Sequence, residues 1–343
     1  MTVPLLPLSP PSCLDELGAP RFGAFAGSLT SVDLRSVRAP GAPGIVGRQF
    51  KRKKWLYTFI ATPEVAAMWA VVDAGYASNA FTLVASVREQ RVLYDATFLG
   101  LPRPFVHVGD FPARGLSVRF RLPQAGISSE RAFAEAPYRH AVRAPGLSVQ
   151  CSLDASTAPP ALTVVAPVPN GGVVNVTQKA SALALSGHLL VQGKQFSLDG
   201  GVGGMDYTQG YLARHTAWRW AFACGRLGDG TAVSFNLADG VNDSLDFTEN
   251  AAWLGSRLVP LGRARFDYDR AHVEGPWHIT TADGLLDVTF TPFGAHREER
   301  DLKLVKSHFV QPVGLYRGHL TVDGKKVALD GLVGVTEDQD ITW

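Results

Sequence analysis

The amino-acid sequence predicts an all-β protein built from two consecutive antiparallel β-barrels. Its 343 residues include 35 Gly and 22 Pro, scattered rather than clustered, which indicates many turns and hence many short strands. Asp-Gly pairs at 229–230, 283–284 and 323–324 separate alternating segments of the C-terminal half. Such a pair is a strong hairpin signal, and three of them predict a meander that closes or nearly closes. Helix patterns are scarce, with one short candidate at 128–136.

The N-terminal half begins with an extended arm and continues as strands. Residues 1–45 are rich in Pro, Gly and Ser, whereas a strand-like pattern starts at Lys53. Trp55, Tyr57 and Phe59 alternate with further apolar residues and β-formers, as in a strand that is covered on both sides. The other strand candidates of this half are 67–74, 79–87, 91–98, 116–122 and 147–153.

A stretch of small and polar residues around Pro159 and Pro160 marks the predicted junction of the two halves. It divides the chain into an N-terminal barrel with its arm, residues 1–160, and a C-terminal barrel, residues 161–343. The strand candidates of the second barrel are 162–166, 182–192, 195–199, 215–225, 231–238, 251–255, 259–267, 276–281, 285–291, 304–310, 313–323 and 325–333.

Charge and cysteine content argue against several classes of protein. The 33 Lys and Arg residues nearly balance 31 Asp and Glu, for a formal charge of +2, so no general attraction for nucleic acid is expected. Cys13, Cys151 and Cys224 are widely spaced and odd in number, which favours reduced thiols in the cytoplasm. The apolar N-terminus lacks the basic segment of a signal peptide, and no run of 18 apolar residues predicts a membrane-spanning helix.

One basic cluster comprises Arg48 and the run from Lys51 to Lys54. It is interpreted either as a solvated strand end or as a contact for an anion or a lipid headgroup. Four adjacent positive residues are too few to hold a protein on a membrane without a second anchor. Stable membrane insertion is therefore not expected.

Sequence motifs for metals and cofactors are missing. There is no Gly-rich dinucleotide or phosphate loop, no HExxH and no GxSxG. The histidines are scattered without the spacing of a helical zinc site, and the remaining alternative is a metal site formed where His272, His278, His296 and His308 meet across strands. The sequence therefore predicts a protein that uses neither a metal nor a redox cofactor.

The most informative segment runs from Gly203 to Ala221 and returns after the turn at 229–230. Because side chains alternate between the faces of a strand, one face holds Thr216, Trp218, Trp220 and Phe222. Ser234 and Asn236 share a face of the returning strand. An apolar face with a few polar groups is typical of a small-molecule site. The alternative is a barrel core in which each indole N–H finds a backbone partner.

Two carboxyls and one imidazole near this segment are candidates for acid–base chemistry. Asp206 follows three glycines within 201–204, and glycine backbone lets a chain bend sharply and aim one side chain. Desolvation among aromatic residues would raise the pKa of Asp206 and make it a proton donor near neutral pH; the alternative is an Asx turn or a strand-end cap. Glu249, beside Asn250, has the same two interpretations, and His215 is either a second acid–base group or a structural histidine.

Several short motifs follow one another along the chain. They are Lys54-Trp55-x-Tyr57, Gly75-Tyr76, Asp206-Tyr-Thr-x-Gly, Arg214-x-Thr-x-Trp-x-Trp-Ala, Asp229-Gly, Asn236-Leu-x-x-Gly, Glu249-Asn, Gln311-Pro-x-Gly-x-Tyr-x-Gly and Gly331-Leu-x-Gly-x-x-Glu337-Asp338. In this order they resemble a bacterial family known as domain of unknown function 2804. The resemblance extends from about residue 50 to the C-terminus, and the motifs are specific together rather than singly.

More distantly, Gly-Met-Asp before a Trp-x-Trp strand and an Asp-Gly hairpin is similar to the carotenoid 1,2-hydratase and AttH-like group, with tocopherol cyclases further away. This resemblance implies a double lipocalin-like (calycin-type) barrel and acid-assisted chemistry on polyenes or other lipophilic molecules. It places Asp206 in a pocket lined by Trp and Tyr. The Tyr-Thr-Gln after Asp206 departs from the acidic residue and Trp of that group, which argues against a specific carotenoid activity.

Together these observations favour a cofactor-independent acid–base enzyme of hydratase, isomerase or cyclase type that acts on a lipophilic small molecule. The predicted catalytic residues are Asp206, His215 and Glu249. The predicted substrate-binding residues are Tyr207, Thr216, Trp218, Trp220, Asn236, Asn250, Trp55 and Tyr76. The alternatives are a non-catalytic carrier of a lipid or hydrophobic metabolite and an interaction module. The sequence predicts neither the substrate nor the oligomeric state, and it leaves open whether the pocket lies inside one barrel or at their junction.

Overall fold

A computed structural model of the chain describes residues 5–244, 246–301 and 306–343. Within these ranges it contains twenty-four β-strands and one seven-residue α-helix. The prediction of an all-β protein is therefore confirmed.

The first fourteen strands form one antiparallel sheet. The elements are β1 Gly23–Ala26, α1 Ile45–Lys51, β2 Arg52–Ala61, β3 Val65–Asp73, β4 Ser78–Ser86, β5 Arg91–Gly100, β6 Val106–Val108, β7 Leu116–Arg121, β8 Gly126–Arg131, β9 Tyr138–Ala144, β10 Leu147–Asp154, β11 Leu162–Pro167, β12 Val174–Val191, β13 Lys194–Ser197 and β14 Val202–Tyr211. Neighbouring strands lie in the order β5-β4-β3-β2-β14-β12-β10-β9-β8-β7-β6, with β11 and β13 also paired to β12, and β1 paired to β11.

The remaining strands form a second antiparallel sheet. They are β15 His215–Arg226, β16 Ala232–Asp239, β17 Ala251–Leu254, β18 Arg257–Pro260, β19 Ala264–Asp267, β20 Trp277–Thr281, β21 Leu286–Asp301, β22 Lys306–Val322, β23 Lys325–Ala328 and β24 Leu332–Thr342. The order is β18-β17-β16-β15-β24-β22-β21-β20-β19, with β23 beside β22. The three predicted Asp-Gly turns connect β15 to β16, β20 to β21 and β22 to β23, and each Gly has the positive φ that such a turn needs.

Each sheet curls around its own apolar core, and a third core lies between the sheets. Leu56 and Phe120 belong to the first barrel interior, and Trp277 belongs to the second. Phe59 of β2 and Phe222 of β15 meet in the third core. The prediction of two consecutive lipocalin-like barrels is thus confirmed.

The chain passes from one sheet to the other between Tyr211, the end of β14, and His215, the start of β15. The predicted junction at residue 160 lies just before β11, which pairs with β1 and β12 of the first sheet. The division into 1–160 and 161–343 therefore does not coincide with the change of sheet. A proline-rich turn interrupts strand pairing in the same way inside a sheet as between sheets, so the sequence pattern does not distinguish the two.

Strand β2 is buried on both faces, as its sequence pattern predicts. Leu56 and Ile60 point into the first barrel, whereas Tyr57 and Phe59 point towards the second. The face of β2 that points outwards from its own barrel therefore forms part of the contact between barrels. This contact is the setting of the site described below.

The short helix predicted at 128–136 is wrong. Residues up to Arg131 belong to β8. Every second side chain of this strand is buried, namely Ile127, Ser129 and Arg131. Period-two burial overrides the helical propensity of the segment. The one helix of the described residues is α1, next to the predicted N-terminal arm.

A buried histidine connects the two barrels. His296 on β21 has its Nδ1 atom 2.6 Å from Oδ1 of Asp95 on β5, and its Nε2 atom lies 3.5 Å from Oε1 of Glu298. Its ring stacks on Phe81 of β4, with 4.5 Å between ring centroids. Burial alone would lower the pKa of His296, but the two carboxylates outweigh it and raise the pKa to about 9.

The raised pKa of His296 predicts that the stability of the contact between the barrels depends on pH. A folded pKa of about 9 against an ordinary value of 6.5 means that the stabilisation is complete below pH 6.5 and is lost as the pH rises through 9. Between pH 6 and 9.5 we expect the free energy of unfolding of the wild type to fall by about 1–3 kcal/mol more than that of His296→Gln, measured by urea unfolding. The control is His278→Gln, an exposed histidine paired with Asp287. Parallel curves for wild type and His296→Gln would contradict the assignment.

Candidate functional site

A cavity of about 320 Å³ lies between the two barrels, beside the third core. Residues of β2, β3 and β4 line it on the side of the first barrel, and residues of β15 and β24 line it on the other. The sequence left open whether a pocket lies inside one barrel or at the junction of the two, and this cavity lies at the junction. A cavity of this volume is at the lower end of the size range of small-molecule pockets, about 300–1,000 Å³.

Aromatic side chains from both barrels form the apolar part of the cavity. Trp55 of β2 stacks against Trp218 of β15, with ring centroids 6.3 Å apart and planes 10° from parallel. Trp220 meets Tyr57 edge to face, with 5.1 Å between centroids. The predicted Trp face of β15 thus points away from its own barrel and borders the cavity, because alternate residues of the strand fill the interior of the second barrel.

Four hydrogen-bond donors converge on the carboxyl group of Asp206. Lys179 Nζ lies 2.7 Å from Oδ2, and Trp55 Nε1 donates to the same oxygen over 3.3 Å. The hydroxyls of Thr177 and Thr208 donate to Oδ1 over 3.0 and 2.8 Å. Every partner is a donor, so these surroundings suit a carboxylate that accepts hydrogen bonds.

The glycines before Asp206 serve close packing and not a bend. Strand β14 runs without interruption from Val202 to Tyr211. A Cβ atom on Gly204 would lie 2.5 Å from Cζ of Phe222, which comes from the second barrel. The expectation that these glycines turn the chain sharply is wrong for Gly203 and Gly204, which lie inside the strand. Gly204 leaves space for Phe222 of β15, and Gly203 leaves space for Leu153 of β10 and the backbone of β2.

Lys179 is the central cation of the site, and it was not among the predicted residues. It lies opposite Asp206 in the antiparallel pair of β12 and β14, and its Nζ atom is also 3.4 Å from Oε1 of Glu249. The side chain of Lys179 is only 4% exposed. Burial would lower the pKa of Lys179, but the two carboxylates outweigh burial and raise it above its ordinary value. Lys179 is the one Lys, Arg, Asp or Glu residue of strand β12, and this was the available sequence signal.

Glu249 is buried on the polar side of the cavity. Asn242 Nδ2 donates to Oε2 over 2.5 Å, and Lys179 lies near the other oxygen. Burial raises the pKa of Glu249, helped by the nearby charge of Asp206, while Lys179 opposes the shift. Because its pKa is raised, Glu249 is a stronger base than an ordinary carboxylate and can accept a proton from a neighbouring group.

Glu337 of β24 is the second buried carboxyl on the cavity. Trp218 Nε1 donates to Oε1 over 2.6 Å, and Gln311 Nε2 donates to Oε2 over 2.8 Å. Burial raises the pKa of Glu337 to about 7, against the effect of these two donors. Both contacts are accepted by the carboxyl oxygens, so neither partner takes a proton from Glu337. In the sequence, Glu337 stands out only as part of the motif Gly331-Leu-x-Gly-x-x-Glu337-Asp338, because its polar neighbours in the strand give no local signal.

Not every predicted site residue reaches the cavity. Those that line it are Asp206, Glu249, Thr216, Trp218, Trp220, Trp55 and Tyr76. Tyr207 points into the first barrel, where its hydroxyl donates to the carbonyl of Gly109 over 2.6 Å. His215 is exposed and pairs with Asp340 at 2.9 Å.

Two predicted amides lie behind the cavity wall. Asn236 accepts a hydrogen bond from Trp220 Nε1 over 2.8 Å, and its own amide donates to the carbonyl of Glu249. Asn250 donates to the carbonyl of Gly262 and accepts from the backbone of Ala238. Neither side chain lines the cavity. Asn236 positions Trp220 and Glu249 of the wall, whereas Asn250 connects backbone groups that lie outside it.

Metal-ligating groups do not cluster in the part of the chain that the structure describes: no three His, Cys, Asp or Glu side chains there are arranged to hold an ion. The helix α1, the one helix in the same residues, is too short to cross a membrane. The three cysteines are free and buried.

Comparison with known protein families gives one match over nearly the whole chain. The profile of the family described as domain of unknown function (DUF2804) covers residues 9–343. The family resemblance seen in the sequence is thereby confirmed. No curated protein sequence matches significantly.

Solved structures share the double-barrel fold. An AttH-like protein of Nitrosomonas europaea is 12% identical, with a TM-score of 0.51 over 85% of this chain and 92% of that one. Kievitone hydratase of Nectria haematococca is 14% identical, with a TM-score of 0.50 over 94% and 98% of the two chains. CghA, solved with Sch210972, is 11% identical, with a TM-score of 0.51 over 98% and 97%. At these identities the likeness concerns the fold.

Proposed function

Because the chain belongs to the family described as domain of unknown function 2804, and because a buried carboxylic acid lies on an aromatic cavity, we propose that it is a cofactor-independent acid–base enzyme. The reaction is a hydration, isomerisation or cyclisation of a lipophilic small molecule. The observation that carries this proposal is Glu337, whose pKa of about 7 keeps it partly protonated near neutral pH.

In this proposal Glu337 is the general acid. Its proton passes to a carbon of a substrate double bond, or to a carbonyl oxygen, and leaves Glu337 as a carboxylate. The positive charge that develops on the substrate faces the π-systems of Trp218 and Trp220, which stabilise a cation. The two indoles also form the walls that exclude water from the reacting atoms.

The charged cluster of Lys179, Asp206 and Glu249 completes the reaction. In a hydration, the oxygen of a water molecule bonds to the carbocation and the released proton goes to Glu249, while solvent returns a proton to Glu337. In an isomerisation, Glu249 removes a proton from a neighbouring carbon and no water is added. Asp206, with Lys179 as its ion-pair partner, holds Glu249 and the substrate in position and was the acid in the sequence-based hypothesis.

The substrate class follows from the composition of the cavity. Trp55, Trp218 and Trp220 provide aromatic surface, and Glu337 lies beside Trp218. Asp206 and Glu249 are gathered at Lys179, whereas Glu298 pairs with Arg300. Such a cavity suits a lipophilic molecule with one polar or unsaturated end. A general acid alone contributes about 10²–10⁴-fold to a rate, so shape and desolvation supply the remainder.

A cavity-blocking variant tests whether this space is the binding site. Val72 of β3 lines the cavity and is partly exposed, so Val72→Trp is expected to fill part of it. We expect the neutral apolar dye N-phenyl-1-naphthylamine to bind the wild type and to lose at least about tenfold in affinity with Val72→Trp, measured by dye fluorescence. Leu190→Trp on β12, which is exposed and does not line the cavity, is the matched control. Equal dye affinity in both variants would place the binding site elsewhere.

The apolar majority of the cavity wall also suits the second candidate, a carrier that binds a lipid or a hydrophobic metabolite without converting it. The two candidates separate when wild type and Glu337→Gln are incubated with a lipophilic extract of the source cells and followed by mass spectrometry. If the protein is an enzyme, both proteins bind the compound, but only the wild type converts it and so depletes it from the extract. A carrier retains the same compound unchanged in both forms.

We also propose that the protein works in the cytoplasm. The support is its three free, buried thiols and the absence of a paired cysteine among the described residues. Fractionation of the source cells, with the protein recovered outside the cytoplasmic fraction, would overturn this assignment.

A further inference from the structure

A second cavity, of about 350 Å³, opens at one end of the first barrel and is strongly basic. Five of its lining side chains are cations: Arg35, Arg48, Arg52, Lys54 and Arg103. Asp73 is its acidic lining residue. This region contains most of the basic cluster of the sequence, which the proposed reaction does not use.

The two innermost cations come from the start of β2. Arg52 and Lys54 lie on the same face of the strand as Leu56, which points into the first barrel. Lys54 Nζ lies 2.6 Å from Oδ1 of Asp110, and Arg52 Nη2 lies 3.3 Å from the same oxygen. One carboxylate thus serves two buried cations, whose side chains are 5% and 11% exposed.

The guanidinium group of Arg52 is not fully hydrogen-bonded. Its buried Nη1 atom has no hydrogen-bond partner among the residues described, and Oδ1 of Asp33 is 3.7 Å away. Asp33 is itself engaged by Arg35 at 2.6 Å. A buried donor without an acceptor is unfavourable by about 1–3 kcal/mol, which an external acceptor would relieve.

Positive charge exceeds negative charge around this cavity. Arg48 directs its guanidinium at the backbone carbonyls of Pro43 and Val37 rather than at a carboxylate. Burial, followed by the charge of Arg52, lowers the pKa of Lys54 to about 8, although Asp110 acts in the opposite direction. The environment of Lys54 is therefore one in which an added negative charge is favourable.

From this geometry we infer that the basic cavity of the first barrel is a binding site for a compact oxyanion of the phosphate class. Arginine forks bind such oxygens with paired hydrogen bonds, and a buried lysine adds a point charge. The phosphate group belongs either to a free phosphate or diphosphate or to a lipid headgroup. This inference does not depend on the reaction proposed for the other cavity.

The two cavities share one wall. Along the turn between β3 and β4, Asp73 and Gly75 line the basic cavity, whereas Ala74 and Tyr76 line the aromatic cavity. Lys53 fixes this turn, because its Nζ atom donates to the carbonyl of Ala74 over 2.7 Å and lies 4.3 Å from the centre of the Tyr76 ring. A bound oxyanion would therefore be in contact with the segment that carries Tyr76.

The test uses inorganic pyrophosphate as the probe, with the intact chain. We expect pyrophosphate to raise the melting temperature of the wild type above that in sodium chloride of equal ionic strength, and isothermal titration to give a saturable site. Arg35→Gln/Arg103→Gln, which removes two rim charges, should bind at least about tenfold more weakly. The control Arg119→Gln/Arg143→Gln removes two charges from exposed positions outside the cavity and should bind as the wild type does.

Phosphatidic acid vesicles distinguish the two sources of the phosphate group. Co-sedimentation that pyrophosphate competes away, and that the cavity variant loses, assigns the site to a headgroup. Pyrophosphate binding without co-sedimentation assigns it to a free oxyanion. The inference is overturned if pyrophosphate acts no differently from chloride, or if the cavity and control variants respond alike.

Discussion

Replacing Glu337 by Gln is expected to lower the rate of conversion by about 10²- to 10⁴-fold, the usual contribution of a general acid, while the cavity still binds its ligand. Glutamine keeps the size of the side chain and an acceptor for Trp218 Nε1, but its amide is not acidic and cannot transfer a proton to the substrate. Gln311 donates to the other carboxyl oxygen. If its amide group rotates, its oxygen can accept a hydrogen bond from the amide N–H of the introduced glutamine.

The pH profile provides a second readout of the same residue. Because only protonated Glu337 is active, the wild-type rate should fall as the pH rises through about 7. Conversion is measured by mass spectrometry on the compound that both proteins retain, and dye binding confirms that the cavity is intact. Glu130→Gln, at an exposed pair with Arg119, is the control. Turnover of Glu337→Gln close to that of the wild type would assign the acid to another group.

Replacing Lys179 by Met is expected to reduce the free energy of unfolding by about 3–5 kcal/mol, because two carboxyls would lose their buried counter-charge. The matched control is Lys194→Met, whose ion pair with Glu89 is exposed and should contribute about 0–1 kcal/mol. Urea unfolding of both variants at pH 8 measures the difference.

The loss in Lys179→Met should depend on pH and on Glu249. Without the lysine, the pKa of Glu249 rises further, so the penalty is largest at pH 8 and shrinks towards pH 5 as Glu249 takes up a proton. The double variant Lys179→Met/Glu249→Gln should recover part of the loss, because one uncompensated charge is gone. A loss equal to that of Lys194→Met would show that the cluster is not a buried ion pair.

Strand periodicity was enough to predict the apolar part of the site. Trp218 and Trp220 share a face of β15 because they are two residues apart, and both line the cavity. Asp206, Glu249, Trp55 and other predicted residues also reach it. Tyr207 does not, because it is one residue from Asp206 and therefore points to the opposite face of β14, into the first barrel.

The partners of these residues depend on strand pairing, which the local pattern does not encode. Lys179 meets Asp206 only because β12 pairs with β14, and β12 has a register shift just beyond, between Ala180 and Leu183. Glu337 reaches Trp218 because β24 pairs with β15. Such pairings join strands that are distant in the chain, so the sequence pattern predicted the faces but not the charge cluster.

In the proposed reaction, a carboxylic acid on the cavity between the barrels holds its proton near neutral pH. Infrared difference spectroscopy between pH 5 and 9, comparing wild type with Glu337→Gln, observes this group directly. In the wild type we expect a protonated carboxyl band that disappears with a midpoint near pH 7, and we expect this band to be missing from Glu337→Gln. Identical spectra for the two proteins over the range from pH 6 to 8 would contradict it.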